Sequence, residues 1–121
     1  MTRVIAVVIG AFELITGIWS FLAPMSFFDN VANFAPRNIH LLHDVGAFQV
    51  GLGFVLILPV VLRAPLRVPL IAVLVASVLH LFSHVEDISL GGHTITDLSV
   101  LTFMCVALAI AIVMDVRASP A

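Results

Sequence analysis

Charge is the first thing this chain lacks. Asp, Glu, Lys and Arg make up 10% of its 121 residues, against about 25% in an ordinary globular domain. Five basic residues face seven acidic ones, a formal net charge of -2. No basic patch exists to hold phosphate, so nucleic-acid binding is excluded. Cysteine is nearly absent. Cys105 stands alone, which excludes an internal disulfide. It falls within an apolar run, where a free thiol packs as a small hydrophobe. No stretch is polar enough for a separate soluble domain. What fills the chain is apolar side chain: 62% of residues are hydrophobic and the mean hydropathy is +1.25. Soluble domains hold about 45–50% apolar residues. This composition implies an integral membrane protein whose first partner is the lipid bilayer.

A bilayer core about 30 Å thick takes roughly 20 apolar residues per helix. Four segments qualify, at about 4–23, 36–62, 66–87 and 94–114. Pro24 ends the first. Pro36 suits the first position of the second, where the missing N–H has no helical partner to lose. Gly91 and Gly92 separate the last two, and R-A-P-L-R at 63–67 forms a basic turn between the second and third. The expected fold class is all-α, an integral membrane four-helix bundle in one domain spanning 1–121. Arg3, Arg63, Arg67 and Arg117 fall on one side of it and Arg37 on the other. Positive charge stays inside, so both termini are expected in the cytoplasm of a cell with this chain in its plasma membrane. Loops 25–35 and 88–93 then face outward. A cleaved signal peptide is the competing reading of the first span. Glu13 interrupts that run and no small-x-small site follows it, so the span is expected to be retained.

The ionisable residues converge on this map. At about 100° per residue, His40, His43 and Asp44 share a face of the second span. His80, His84 and Asp87 form a stripe at i, i+4 and i+7 on the third. His93 and Asp97 open the fourth at i and i+4. Glu13 lies deeper on the first, with Thr16, Gly17 and Ser20 on the same side. All five histidines thus gather at the outward end, and none lies at the arginine end. A charge in a bilayer costs about 2.5–3.5 kcal/mol on insertion scales. Several held at one level imply mutual pairing, a polar cavity or an ion.

A transition-metal site is the sharpest reading. Imidazole suits Cu, Fe and Zn, and carboxylates extend the set. His43, Asp44, His80 and His84 are the expected ligands, with Asp97 and Glu13 next. His40, Asp87 and His93 would orient them, since metal-bound imidazole donates its other N–H to a carboxylate or carbonyl. Such a centre suggests a metal-dependent membrane oxidoreductase. No Glu-x-x-His pair occurs, so the di-iron bundle pattern is absent. Haem between His43 and His80 or His84 is a further option, disfavoured by the carboxylates alongside. The alternative is a non-catalytic accessory protein whose polar cluster is interhelical glue or a proton relay. Ion conduction is disfavoured because the inner halves of the last three spans hold no Asp, Glu or His, and Arg67 stands only at the inner edge of the third. Gly46, Gly51 and Gly53 are expected to admit a close neighbouring helix. Gln49, off the His40/Asp44 face, would hydrogen-bond a second copy or a partner membrane protein.

The segments H-D-V-G-A-F-Q-V-G-L-G (43–53) and H-L-F-S-H-V-E-D-I-S-L-G-G-H (80–93) resemble those of small four-helix membrane proteins common in actinobacteria. That family is distantly similar to the DoxX-like group. The resemblance covers most of the chain and implies the four-helix membrane fold. Because the DoxX-like group includes subunits of membrane quinone oxidoreductases, it also makes a redox role an expectation. It assigns no residue a role.

Overall fold

The computed structural model describes residues 1–118. Among them the protein is all-α, with helices α1 Thr2–Leu22, α2 Pro24–Asn30, α3 Ile39–Val61, α4 Arg67–Glu86 and α5 Thr94–Ala118. All but α2 are long and apolar enough to cross a membrane. These four form a bundle in which α1 packs against α3 and α5, and α4 against α5 and α3. Successive spans run in opposite directions, so the histidines lie at one end and Arg3, Arg63, Arg67 and Arg117 at the other. Arg3 Nη1 donates to the Val60 carbonyl at 3.3 Å, which joins the start of α1 to the end of α3.

The boundaries differ from the sequence expectation for local reasons. The second span starts at Ile39 and not near 36, because Asn38 caps it: its side chain accepts from the Leu41 N–H at 3.1 Å, satisfying a first-turn donor. It ends in a reciprocal turn, with Ala64 N–H on the Pro59 carbonyl at 2.8 Å and Arg63 N–H on that of Val60 at 3.3 Å. This double bond pattern places the residue after the cap in the left-handed region, and Arg63 has φ 57°. The fourth span runs past 114 to Ala118, and Asp115 in that extra turn pairs with Arg67 Nε at 3.3 Å. Residues 24–30, expected to open the outward loop, form helix α2. Pro24 stops α1 but occupies the first position of a new helix, where proline is favoured. Its Phe27 is buried and meets Trp19 edge-on, with centroids 5.6 Å apart. Trp19 Nε1 also donates to Ser26 Oγ at 3.2 Å. Trp19 is therefore an anchor for α2.

The tightest seam is α1 on α3. A Cβ on Gly17 would lie 2.8 Å from the Gly46 carbonyl oxygen, and one on Gly46 would lie 2.7 Å from that of Gly17. Seven residues further along each helix the pattern repeats, where a Cβ on Gly53 would sit 2.8 Å from the Gly10 carbonyl oxygen. Above this seam Ser20 Oγ donates to the Leu42 carbonyl at 2.7 Å. With no hydrophobic drive between helices in lipid, close backbone approach and interhelical hydrogen bonds hold the pair. Gly51 differs from its neighbours. Nothing lies within 4 Å of a Cβ built there.

The buried apolar core occupies the arginine half. Ala6, Ile9, Leu56, Leu70, Val73 and Leu108 belong to one cluster, with Met104 and Ala111 beside them. Phe12, Phe48, Phe54, Phe82 and Phe103 all point outward and are exposed on the bundle surface.

Gly46→Val should destabilise the bundle by about 1–3 kcal/mol, the usual cost of overpacking, whereas Gly51→Ala should leave stability unchanged or raise it by up to about 1 kcal/mol through helix propensity. Thermal unfolding of the two variants in the same detergent checks this; equal loss in both would contradict the glycine seam.

Candidate functional site

The polar residues at the histidine end separate into two groups. The first belongs to α3 alone. His40 Nε2 lies 3.5 Å from Asp44 Oδ2, and both side chains are exposed. His43, one residue away, sets its ring against Phe21 at 5.5 Å between centroids. The second group joins α4 to α5. His84 Nε2 lies 3.1 Å from His80 Nε2, as expected for residues one helical turn apart. On the other side of the ring, His84 Nδ1 stands 3.7 Å from Asp97 Oδ2, with both side chains largely buried. That carboxylate oxygen also accepts the His93 backbone N–H at 2.8 Å.

The four expected ligands His43, Asp44, His80 and His84 are thus divided between the two groups. Among the described residues no three or more His, Cys, Asp or Glu side chains are placed to hold one metal ion. His93 is exposed and contributes its backbone N–H. Asp87 is also exposed; it caps α4, and its carbonyl accepts from Leu90 N–H at 2.8 Å.

A short clasp covers His84. Loop 31–38 and loop 87–93 pair at Phe34 and Gly91 in an isolated antiparallel bridge. Gly92 N–H donates to the Asn33 carbonyl at 2.7 Å, and Ala35 N–H to that of Leu90 at 3.2 Å. The clasp sets Phe34 edge-on over the His84 ring, centroids 5.2 Å apart. Gly92 has φ 79°, a region that favours glycine, and a Cβ there would collide with the Phe34 ring and lie 3.0 Å from Asp97 Oδ2. The glycine pair that separates the last two spans therefore also closes the cover over His84.

Below His84 the line reaches a cleft of about 210 Å³ between α3 and α4, backed by α1. Its polar lining is Glu13, Gln49, Ser77 and His80, and its apolar lining is Val45, Phe48, Leu52 and Ala76. Glu13 is only 6% exposed and Ser77 5%. Glu13, Gln49 and Ser77 each fall near the middle of their helices, so the cleft lies at mid-span. Gln49 is held against α1: a Cβ on Gly17 would lie 2.9 Å from Gln49 Cβ. Its Oε1 is buried with no hydrogen-bond partner among the described residues.

Phe34 and Ser77 escaped the sequence reading. Ser77 sits three residues before His80, on the same helical face, which is the one signal that points to it. Phe34 carries no such signal, since a loop clasp is not periodic.

Comparison with known protein families, curated proteins and solved structures finds no match. The site's chemistry therefore rests on its own geometry.

Removing the cover should open His84 to water. Phe34→Ala is expected to speed deuterium exchange at the His84 imidazole carbon several-fold, read by mass spectrometry, and to leave His40 unchanged. An unaltered His84 rate would show that the clasp shields nothing.

Proposed function

We propose that this chain is an integral membrane protein that passes protons between its histidine end and the mid-span cleft, with Glu13 as the inner acceptor. The observation that supports it is the row of contacts from Asp97 through His84 to His80, whose ring lines the same cleft as Glu13. Neutral imidazole donates from one ring nitrogen and accepts at the other. His84, with a carboxylate at Nδ1 and a second imidazole at Nε2, suits a carrier that takes a proton on one side and gives it on the other. Asp97 offsets the charge while His84 holds it, and the His93 N–H steadies Asp97. The cleft has room for several waters, each needing about 10–15 Å³, to join His80 to Glu13.

The row stops there. Beyond the cleft lie the buried Ile9, Leu56, Val73 and Leu108, which offer no polar step. The path serves delivery to or from a point inside the membrane, and not conduction across it. With the arginines inside, its mouth faces outward from the plasma membrane. The likeness of 43–53 and 80–93 to DoxX-like membrane proteins is compatible with this role, either in an accessory protein or beside a redox partner.

One observation favours a second reading, a transition metal at the same histidine pair. Two Nε2 atoms face each other at 3.1 Å, and Asp97 stands at the far nitrogen of His84, where metal-bound imidazole commonly keeps a carboxylate. The pair is one short of the three protein ligands of an open zinc site, so solvent or a cleft ligand would complete it. A metal-dependent membrane oxidoreductase is the activity that reading implies.

Two measurements separate the readings. Infrared spectra follow deuteration of the Glu13 carboxyl after transfer to D2O. Exchange should be prompt in the native chain and slowed at least about tenfold in His84→Leu, in line with the weight of a positioned proton carrier. Unchanged exchange in both His84→Leu and His80→Leu would overturn the relay. Tag-free protein should hold well under one Cu, Fe or Zn per chain. Near-integral metal, lost in His80→Ala and His84→Ala, would establish the metal reading in its place.

A further inference from the structure

The arginine end carries positive charge that its neighbours do not offset. Among the described residues its one ion pair joins Arg67 to Asp115. Arg3 and Arg63 have no carboxylate partner there, and both are exposed. They are rooted at one atom. The Val60 carbonyl accepts from Arg3 Nη1 at 3.3 Å and from the Arg63 backbone N–H at 3.3 Å. That carbonyl belongs to the last turn of α3, where a helix leaves oxygens without an intrahelical donor. The bond fixes the Arg3 guanidinium at the junction of α1 and α3 and uses one of its five donors. Two cationic side chains that start from one carbonyl repel each other, and an anion set between them turns that cost into attraction.

Next to Arg3 the bundle surface forms a groove of about 270 Å³, lined by Val4, Val7 and Val8 of α1 and Val60 of α3. Val4 is 64% exposed and Val8 60%, so the groove opens sideways, toward hydrocarbon. From Val4 to Val8 it runs about 6 Å down α1, away from the arginine end, at about 1.5 Å per residue. Valine is stiff at χ1, so the walls keep their shape when a chain lies against them. A soluble phosphate gains nothing from such walls. A phospholipid carries its phosphate at headgroup depth and its acyl chain below, the same order as arginine followed by valines. Two arginines are too few for a nucleic acid but enough for one phosphate, which a guanidinium grips with two parallel N–H bonds. Basic sites between spanning helices hold anionic headgroups in this way.

We infer that this groove, between the start of α1 and the end of α3, binds one anionic phospholipid, its phosphate on Arg3 and Arg63 and one acyl chain along Val4, Val7, Val8 and Val60. The site shares no residue with the proton path and lies at the opposite end of the bundle, so either can fail without the other.

Native mass spectrometry of the whole chain in detergent, titrated with dioleoyl phosphatidylglycerol or dioleoyl phosphatidylcholine, compares lipids with the same tails and different head charge. The first phosphatidylglycerol should bind at least about tenfold more tightly than the first phosphatidylcholine, since each arginine beside an anionic headgroup is worth roughly fivefold. Arg63→Gln, which leaves the Arg3 bond to Val60 in place, should lower that preference about fivefold. Arg3→Gln and Arg63→Gln together should abolish it. Arg37→Gln, at the histidine end, should leave it unchanged. Val8→Trp fills the groove without touching either arginine and should weaken the first phosphatidylglycerol. Glycerol phosphate, the headgroup without tails, should not displace the lipid at equal concentration. Equal affinity for the two lipids would overturn the inference. So would a preference that survives loss of both arginines, or one that falls as far in Arg37→Gln as in Arg63→Gln. Full affinity in Val8→Trp would reduce the site to charge at the membrane surface, and displacement by glycerol phosphate would make it a site for soluble phosphate; either result contradicts a lipid groove.

Discussion

At Gly17 and Gly46 the backbones of α1 and α3 meet, and at Gly10 and Gly53 they meet again. Among the described residues, α1 and α3 share the most extensive contact of any helix pair. The spacing of seven residues on both helices keeps the small positions on one seam, since a period near 3.5 holds a face toward an antiparallel partner. Much else follows. Glu13 lies between the two glycines of α1 and is carried into the interior with them. Gln49 lies between the two glycines of α3 and is pressed against α1. α4 packs mainly on α5 and only lightly on α3, and the cleft is the space left in that seam.

The two halves of the bundle answer the membrane differently. In the arginine half, aliphatic side chains from all four spans close a dry core. In the histidine half, the largely buried His84 and Asp97 are kept by contact with polar neighbours. Asp97 accepts a backbone N–H and faces His84; His84 faces His80; His80 opens on the cleft. Each member has a neighbour that offsets its cost in a low-dielectric setting. The stretch from His80 to Asp87 owes its character to this arrangement. His84 is largely enclosed and His80, on the same stripe, is exposed at the edge of the cleft, while Glu86 and Asp87 end the helix at the surface.

How much of this could be read from residues alone depended on the kind of signal. The spans, the turn at 63–67 and the gathering of histidines at one end follow from apolar run length and chain direction. The depth of Glu13 follows from helix rise. A helical wheel also pairs His40 with Asp44 and His80 with His84, and both pairs are formed. It does not say how each helix is rotated against its neighbours. His40, His43 and Asp44 therefore looked equivalent to His80 and His84, although α3 turns the His40–Asp44 pair outward. The same limit placed Gln49 on an outside face, when the close glycine approach holds it against α1. Helix α2 is hidden in the sequence because Pro24 signals an end as well as a start, and Phe34 because its position depends on a clasp between two distant loops.

A hydrated connection from the histidine end to mid-span is the claim on which the account turns, and its most direct test is water access at Ser77. In a Cys105→Ser background, Ser77→Cys in oriented vesicles is treated with a membrane-impermeant thiol reagent from either face. The account predicts labelling from the histidine face only, with Val73→Cys, one turn further toward the arginine end and fully buried, unlabelled from both. Labelling of Ser77→Cys from the arginine face, or from neither, would contradict it.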